Sequence, residues 1–186
     1  TAVGFELYTE MMQAAIQELK GEEVLPEIDP EIRLGISAYF PDNYMPDANQ
    51  RLYFYKRLAS LKNAAELDEL KEEIADRFGP YGDVVDNLFL VMNLRRVLKE
   101  FLVQQISFSD GKIFLLFHAD SPVKVDKLLE LIHKQKNRFR LAPDGRLSFT
   151  PKNKDWQPLA GEVVELLQAI REIPASQSAE PAAKLG

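Results

Sequence analysis

The chain has 186 residues, 28% of them charged, with a net charge of -6 and no cysteine. That balance argues against a broad electrostatic footprint for DNA or anionic lipid, and the missing thiols exclude disulfides, thiolate zinc centres and thiol nucleophiles. No apolar run reaches the roughly 18 residues of a membrane span and no signal-peptide pattern opens the sequence, so one ordinary domain with appendages is expected.

Phe5, Tyr8, Met11, Met12, Ala15, Ile16 and Leu19 fall at helical spacing and predict a helix over residues 5–20, with Gly21 as its C-cap. The chain begins Thr1-Ala-Val-Gly-Phe without an initiator Met, as expected of a piece of a longer protein. Residues 21–30, with Pro26 and Pro30 among several acids, read as a linker. Ile32, Leu34, Ile36 and Ala38 then alternate with polar or small residues, which predicts a half-buried strand over 31–38. Pro41-Asp-Asn-Tyr-Met-Pro46 is a bend.

Asp47 is a natural N-cap for a helix whose expected inward residues are Leu52, Tyr55, Leu58, Ala59 and Leu61, with Asn63 ending it. A second helix over 64–78 turns Leu67, Leu70, Ile74 and Phe78 inward and stops at Gly79-Pro80. From Asp83 a long helix is apolar around much of its circumference and is expected at the centre of the fold.

Beyond it the period changes. Apolar runs at 103–108 and 112–117 flank Asp110-Gly111, a strong hairpin signal, and 138–141 and 146–150 flank Asp144-Gly145, read as a second hairpin of the same type. The helix after the first hairpin spans 123–134, with Val125, Leu128, Leu129 and Ile132 inward; the helix after the second places Trp156, Leu159, Val163, Leu166, Leu167 and Ile170 on one face. The small-residue stretch 174–186 is expected to be a disordered tail. The fold class is therefore α+β: a mainly antiparallel sheet built from hairpins and covered by helices, with a helical subdomain ahead of it.

A reaction centre is not visible. His118 and His133 have no nucleophile or carboxylate at a suggestive spacing, and neither a phosphate-cradling Gly-Lys-Ser/Thr loop nor a dinucleotide fingerprint occurs. No metal-ligand set and no cofactor cradle is read. Tyr53-Phe-Tyr-Lys-Arg57 mixes aromatics with cations as single-strand binders do, yet its helical setting favours a core residue with basic decoration. Lys56, Arg57, Arg95 and Arg96 would be the cations of a nucleic-acid- or polymerase-binding module; Arg95 and Arg96 fit equally an interdomain carboxylate anchor or outward snorkelling. The sharper pattern is Glu66, Glu69, Glu73 and Asp76, stacked along one face of the 64–78 helix beside its apolar stripe. Asp76 lies near the helix C-terminus, where a carboxylate opposes the dipole and calls for a compensating partner such as Arg77 or a basic surface.

Val3-Gly-Phe-Glu-Leu-Tyr, Pro46-Asp-Ala-Asn-Gln-Arg-Leu-Tyr-Phe-Tyr-Lys-Arg-Leu-Ala and Asp76-Arg-Phe-Gly together resemble the C-terminal part of bacterial transcription-repair coupling factors, the Mfd family, from Val3 to about Ile173. The resemblance implies that residues 1–20 continue a helix from a preceding translocase motor domain, 21–30 link, and 31–173 form a C-terminal regulatory domain. It implies a bacterial cytoplasmic parent whose motor uses ATP and Mg and acts on DNA. That parent displaces stalled RNA polymerase and recruits UvrA through a UvrB-like N-terminal module, on which the C-terminal domain rests and masks the UvrA-binding surface. By the same resemblance the contact includes Glu73 and Asp76, with Glu69 and Arg77 as neighbours, and this part of the chain is no enzyme, holds no cofactor, and meets neither DNA directly nor a membrane.

Overall fold

A computed structural model describes residues 26–171, so the helix expected at 5–20, the start of the linker and the tail at 174–186 lie outside the described residues. Among the described residues five strands form one sheet: β1 (Glu31–Arg33), β2 (Val103–Ser109), β3 (Lys112–Phe117), β4 (Phe139–Leu141) and β5 (Arg146–Phe149), in the order β1-β2-β3-β5-β4. The helices are α1 (Ala48–Ala59), α2 (Ala64–Phe78), α3 (Asp83–Glu100), α4 (Val125–Lys134) and α5 (Trp156–Ala169). The α+β class holds, with a mixed sheet: β1 runs parallel to β2 and the other pairs are antiparallel.

The two hairpins differ in their turns. Asp110 and Gly111 both have positive φ, 50° and 73°, so the chain reverses in two residues between the paired Ser109 and Lys112. At the second, only Gly145 is left-handed, φ 83°. Pro143 imposes a negative φ just before Asp144, and the reversal takes the four residues 142–145, closed by Ala142 N–H donating to the Arg146 carbonyl at 2.9 Å. The expected strand over 31–38 is cut to three residues by Gly35, whose φ of 69° leaves the extended region.

α3 joins two apolar cores. Leu94, Val97 and Leu98 pack with the sheet, α4 and α5. Val85, Leu88 and Phe89 pack with α1, α2 and the 40–45 bend. In this second core Leu58 is buried and Tyr55 and Leu61 pack partly against it as expected, but α1 is rotated so that Phe54 is fully buried while Ala59 is exposed and Leu52 is 52% exposed. Phe40 and Phe78 meet the Phe54 ring at 6.4 and 5.8 Å, a larger apolar contact than Leu52 would supply. Asn63 does not end α1, which stops at Ser60; it caps α2, accepting the Glu66 N–H at 2.9 Å. On α4, Leu128 is buried and Leu131 and Ile132 pack partly against the first core, whereas Val125 and Leu129 face outward.

Candidate functional site

α2 carries six acids against two bases over residues 64–78. Its start is fixed by Asn63 and by Glu66, whose carboxylate accepts the Lys62 N–H at 2.8 Å, so Glu66 serves the cap rather than the open stripe. Leu67, Leu70 and Ile74 are buried and hold the helix down. Gly79 ends it with φ 85°, its N–H donating to Ala75, and its carbonyl accepts the Tyr44 hydroxyl at 2.8 Å. That bond ties the end of α2 to the preceding bend.

The four candidate residues divide into two groups. Glu73 lies between two arginines: Arg57 of α1 donates to one carboxylate oxygen at 2.5 Å and Arg77, one turn on, to the other at 3.3 Å. Both guanidinium groups also lie over aromatic rings, Arg57 over Tyr53 at 5.5 Å and Arg77 over Phe54 at 5.2 Å. The Arg57 hydrogen bond, with Arg77 adding, holds the Glu73 carboxyl below the usual carboxylate range. Glu69 and Asp76 are exposed, and neither makes a side-chain hydrogen bond or ion pair among the described residues. One helix face thus presents two open carboxylates flanking a third that is already neutralised and held in orientation.

The Arg57–Glu73 pair is about one-third exposed on each side. A double-mutant cycle with Arg57→Ala and Glu73→Ala, read by urea denaturation, is expected to give a coupling of about 0.5–1 kcal/mol, reduced by added salt.

The four cations considered for nucleic acid do not form one open strip. Lys56 is exposed, but Arg57 holds Glu73, Arg95 holds Asp29 at 2.6 Å, and Arg96 holds Glu100 at 2.7 Å. His118 accepts the Asp120 N–H at 3.1 Å, a local turn contact, and His133 is exposed on α4. Among the described residues no group of three or more His, Asp or Glu is placed to hold a metal ion, and no helix is long and apolar enough to cross a membrane.

Much of the 46–59 signature is structural. Arg51 donates to the Met45 and Pro46 carbonyls at 2.7 and 3.0 Å, Asp47 caps α1, Phe54 fills the core, and the Tyr55 hydroxyl accepts the Phe40 N–H at 2.7 Å. The role of Arg57 was absent from the sequence reading, although the Glu73–Arg77 half of the clasp was signalled by its i,i+4 spacing. Glu162 on α5 was missed altogether: it accepts from Arg138 at 2.6 Å, from the Lys152 and Asn153 amides at 2.9 and 2.8 Å, and from the Asn153 side chain at 2.7 Å. Nothing in its sequence neighbourhood marks it.

A helical unit joined through one central helix to a five-stranded mixed sheet, with a charged helix face, defines the class: an α+β domain of the kind solved as the C-terminal domain of a transcription-repair coupling factor. That crystal structure superposes with a TM-score of 0.67 at 26% identity, covering 80% of this chain and 98% of the other. The TRCF domain family model matches residues 34–128, and the chain belongs to that family. It is 36% identical over 174 residues to the transcription-repair-coupling factor of Haemophilus influenzae, covering 91% of this chain and 15% of that protein. The Escherichia coli protein of the same name is 33% identical over 152 residues, 79% of this chain and 13% of that protein; the Myxococcus xanthus one is 27% identical over 177 residues, 95% and 15%. The chain therefore spans about 15% of the length of these curated relatives.

Proposed function

We propose that this domain is an autoinhibitory docking module. It belongs to an ATP-dependent DNA translocase that displaces stalled RNA polymerase and recruits UvrA, and it masks the UvrA-binding surface of that parent's UvrB-like module. The ATP and Mg of the parent act in its motor domain and DNA reaches the parent through that motor. The observation that carries the reading is the outer face of α2, where Glu69 and Asp76 are open and Glu73 is held between Arg57 and Arg77. Basic groups of the UvrB-like module pair with Asp76 and Glu69. Glu73 accepts a further cation only in competition with its two internal arginines, and Arg77 borders the contact.

Magnitude favours a releasable latch. Exposed ion pairs contribute about 0.2–1 kcal/mol each, too little to hold separate molecules together. Within one chain the effective concentration is roughly millimolar, which closes the contact while leaving open and closed states within a few kcal/mol. The alternative use of Lys56, Arg57, Arg95 and Arg96 for nucleic acid or polymerase has less support, because three of those cations already hold carboxylates.

The test is Glu69→Lys with Asp76→Lys in the full-length protein, both exposed positions outside the apolar cores. Losing two pairs and adding repulsion amounts to about 1–2 kcal/mol, so UvrA capture without polymerase rises about tenfold. Wild-type UvrA binding by a folded double variant would remove these carboxylates from the latch.

A further inference from the structure

A second surface lies on elements that the α2 reading does not use. Val125 and Leu129 of α4 are 61% and 50% exposed, and Leu141 of β4 is 37% exposed. Val125 and Leu129 are one helical turn apart and so share a face. Between α4 and β4 runs a groove of about 580 Å³ whose apolar lining is Leu129, Ile132, Phe139 and Leu141, and whose remaining lining is His133, Lys136 and Arg140. Among the described residues no carboxylate lines it. Lys136 and Arg140 make no ion pair among the described residues, and residues 124–140 hold six Lys and Arg against two acids; of these, Lys134 engages Glu130 at 2.5 Å and Arg138 engages Glu162 of α5 at 2.6 Å. In a chain of net charge -6 this stretch is locally positive.

The groove also borders an open sheet edge. Among the described residues β4 is the terminal strand and pairs only with β5. Thr150 N–H donates to the Arg138 carbonyl and Ala142 N–H to the Arg146 carbonyl. By the alternation of an antiparallel ladder, residues 138, 140 and 142 face β5, and the N–H and C=O of Leu141 point to the open side. Three residues is a short edge, so backbone pairing sets direction while the groove and its cations supply most of the attraction.

We propose that this groove docks an acidic peptide segment of a protein partner, laid extended along β4 with its apolar side chains against Leu129, Ile132 and Leu141 and its carboxylates toward Lys136 and Arg140. The cations alone would suit a nucleic acid. The lining argues for peptide, because its apolar part is mainly aliphatic and its Phe139 is 4% exposed and offers no face for base stacking. The exposed imidazole of His133 is left as a single ring for a base to meet.

The experiment titrates the isotope-labelled chain with two short synthetic peptides that alternate Val and Leu with Glu in one case and with Lys in the other. The Glu peptide shifts backbone amides of α4 and of residues 136–142, the Lys peptide does not, and added salt weakens the effect. Leu129→Asp with Arg140→Glu, both at exposed positions, weakens the Glu peptide about tenfold through lost apolar contact and reversed charge. A Glu-for-Lys exchange in the peptide needs no change in the protein, so the test survives a poorly folding variant. Equal binding of the two peptides, or stronger shifts of the same amides by a single-stranded oligonucleotide, overturns the proposal. So does concentration-dependent shifting of these amides without peptide, which would assign the groove to a second copy of the chain.

Discussion

Phe54→Ala is expected to destabilise the domain by about 3–5 kcal/mol, a large fraction of the about 5–15 kcal/mol typical of a folded domain. The ring is fully buried and meets Phe40, Tyr53 and Phe78, while the guanidinium groups of Arg57 and Arg77 lie over it at 5.7 and 5.2 Å. Truncation therefore opens a cavity in the smaller core and removes the surface on which both partners of Glu73 rest. Leu52→Ala, two residues away on the same helix but half exposed, is expected to change stability by no more than about 0.5 kcal/mol. Urea denaturation of the pair checks both values. A Leu52→Ala loss as large as that of Phe54→Ala would mean that α1 packs by the face expected from its sequence rather than the one observed.

The next largest effect is expected at Glu162. Its carboxylate is 11% exposed and accepts from Arg138, from two loop amides and from the Asn153 side chain. Glu162→Ala leaves those donors without their acceptor and is expected to cost about 2–4 kcal/mol, below the full penalty for breaking a buried ion pair because Arg138 keeps some contact with water. The loop joining β5 to α5 is the segment it ties down, since Lys152 and Asn153 belong to that loop. Burial pushes the Glu162 carboxyl upward, but the hydrogen bonds from Lys152 and Asn153 and the charge of Arg138 together outweigh it, and the group titrates below the ordinary glutamate range. A carboxylate depressed in the folded state contributes stability that is fully present above the unfolded value of about 4.3 and is lost as pH falls through the lower folded value. Glu162→Gln removes that dependence. The stability gap between wild type and Glu162→Gln, measured in urea at falling pH, is therefore expected to narrow once the pH passes below about 4.3. A gap that stayed constant into strong acid would show that the charge of Glu162 plays no part.

Glu73 contributes in the same direction, since its carboxyl is also depressed, by Arg57 first and Arg77 second. Its contribution is smaller, because a pair exposed by about a third is screened by water and salt.

The features legible in the amino-acid order are those whose cause lies within one helical turn or one strand reversal. Asp47 as a cap, the Gly79-Pro80 stop, the two-residue turn at Asp110-Gly111 and the central helix from Asp83 all follow from local dihedral preferences and apolar period. The carboxylate stripe of α2 is equally local, because residues three and four apart stack on one face whatever surrounds the helix. The α+β class and the family signature could be read for the same reason.

What the tertiary structure decided is every feature whose partner lies far along the chain. Phe54 rather than Leu52 faces inward because Phe40, Phe78 and Phe89 converge there from three other segments. β1 pairs parallel with β2 across some seventy residues, which no turn signal announces. Glu73 is neutralised by Arg57 sixteen residues upstream, on a neighbouring helix, leaving Asp76 and Glu69 as the open carboxylates. Leu129 lines the groove beside β4 and Val125, one turn away on the same helix, is exposed, although both are apolar at the spacing of a core face. Periodicity reports which residues share a face; only the neighbours that close over that face determine whether it becomes core, clasp or docking surface, and those neighbours arrive by packing over distances that local sequence does not encode.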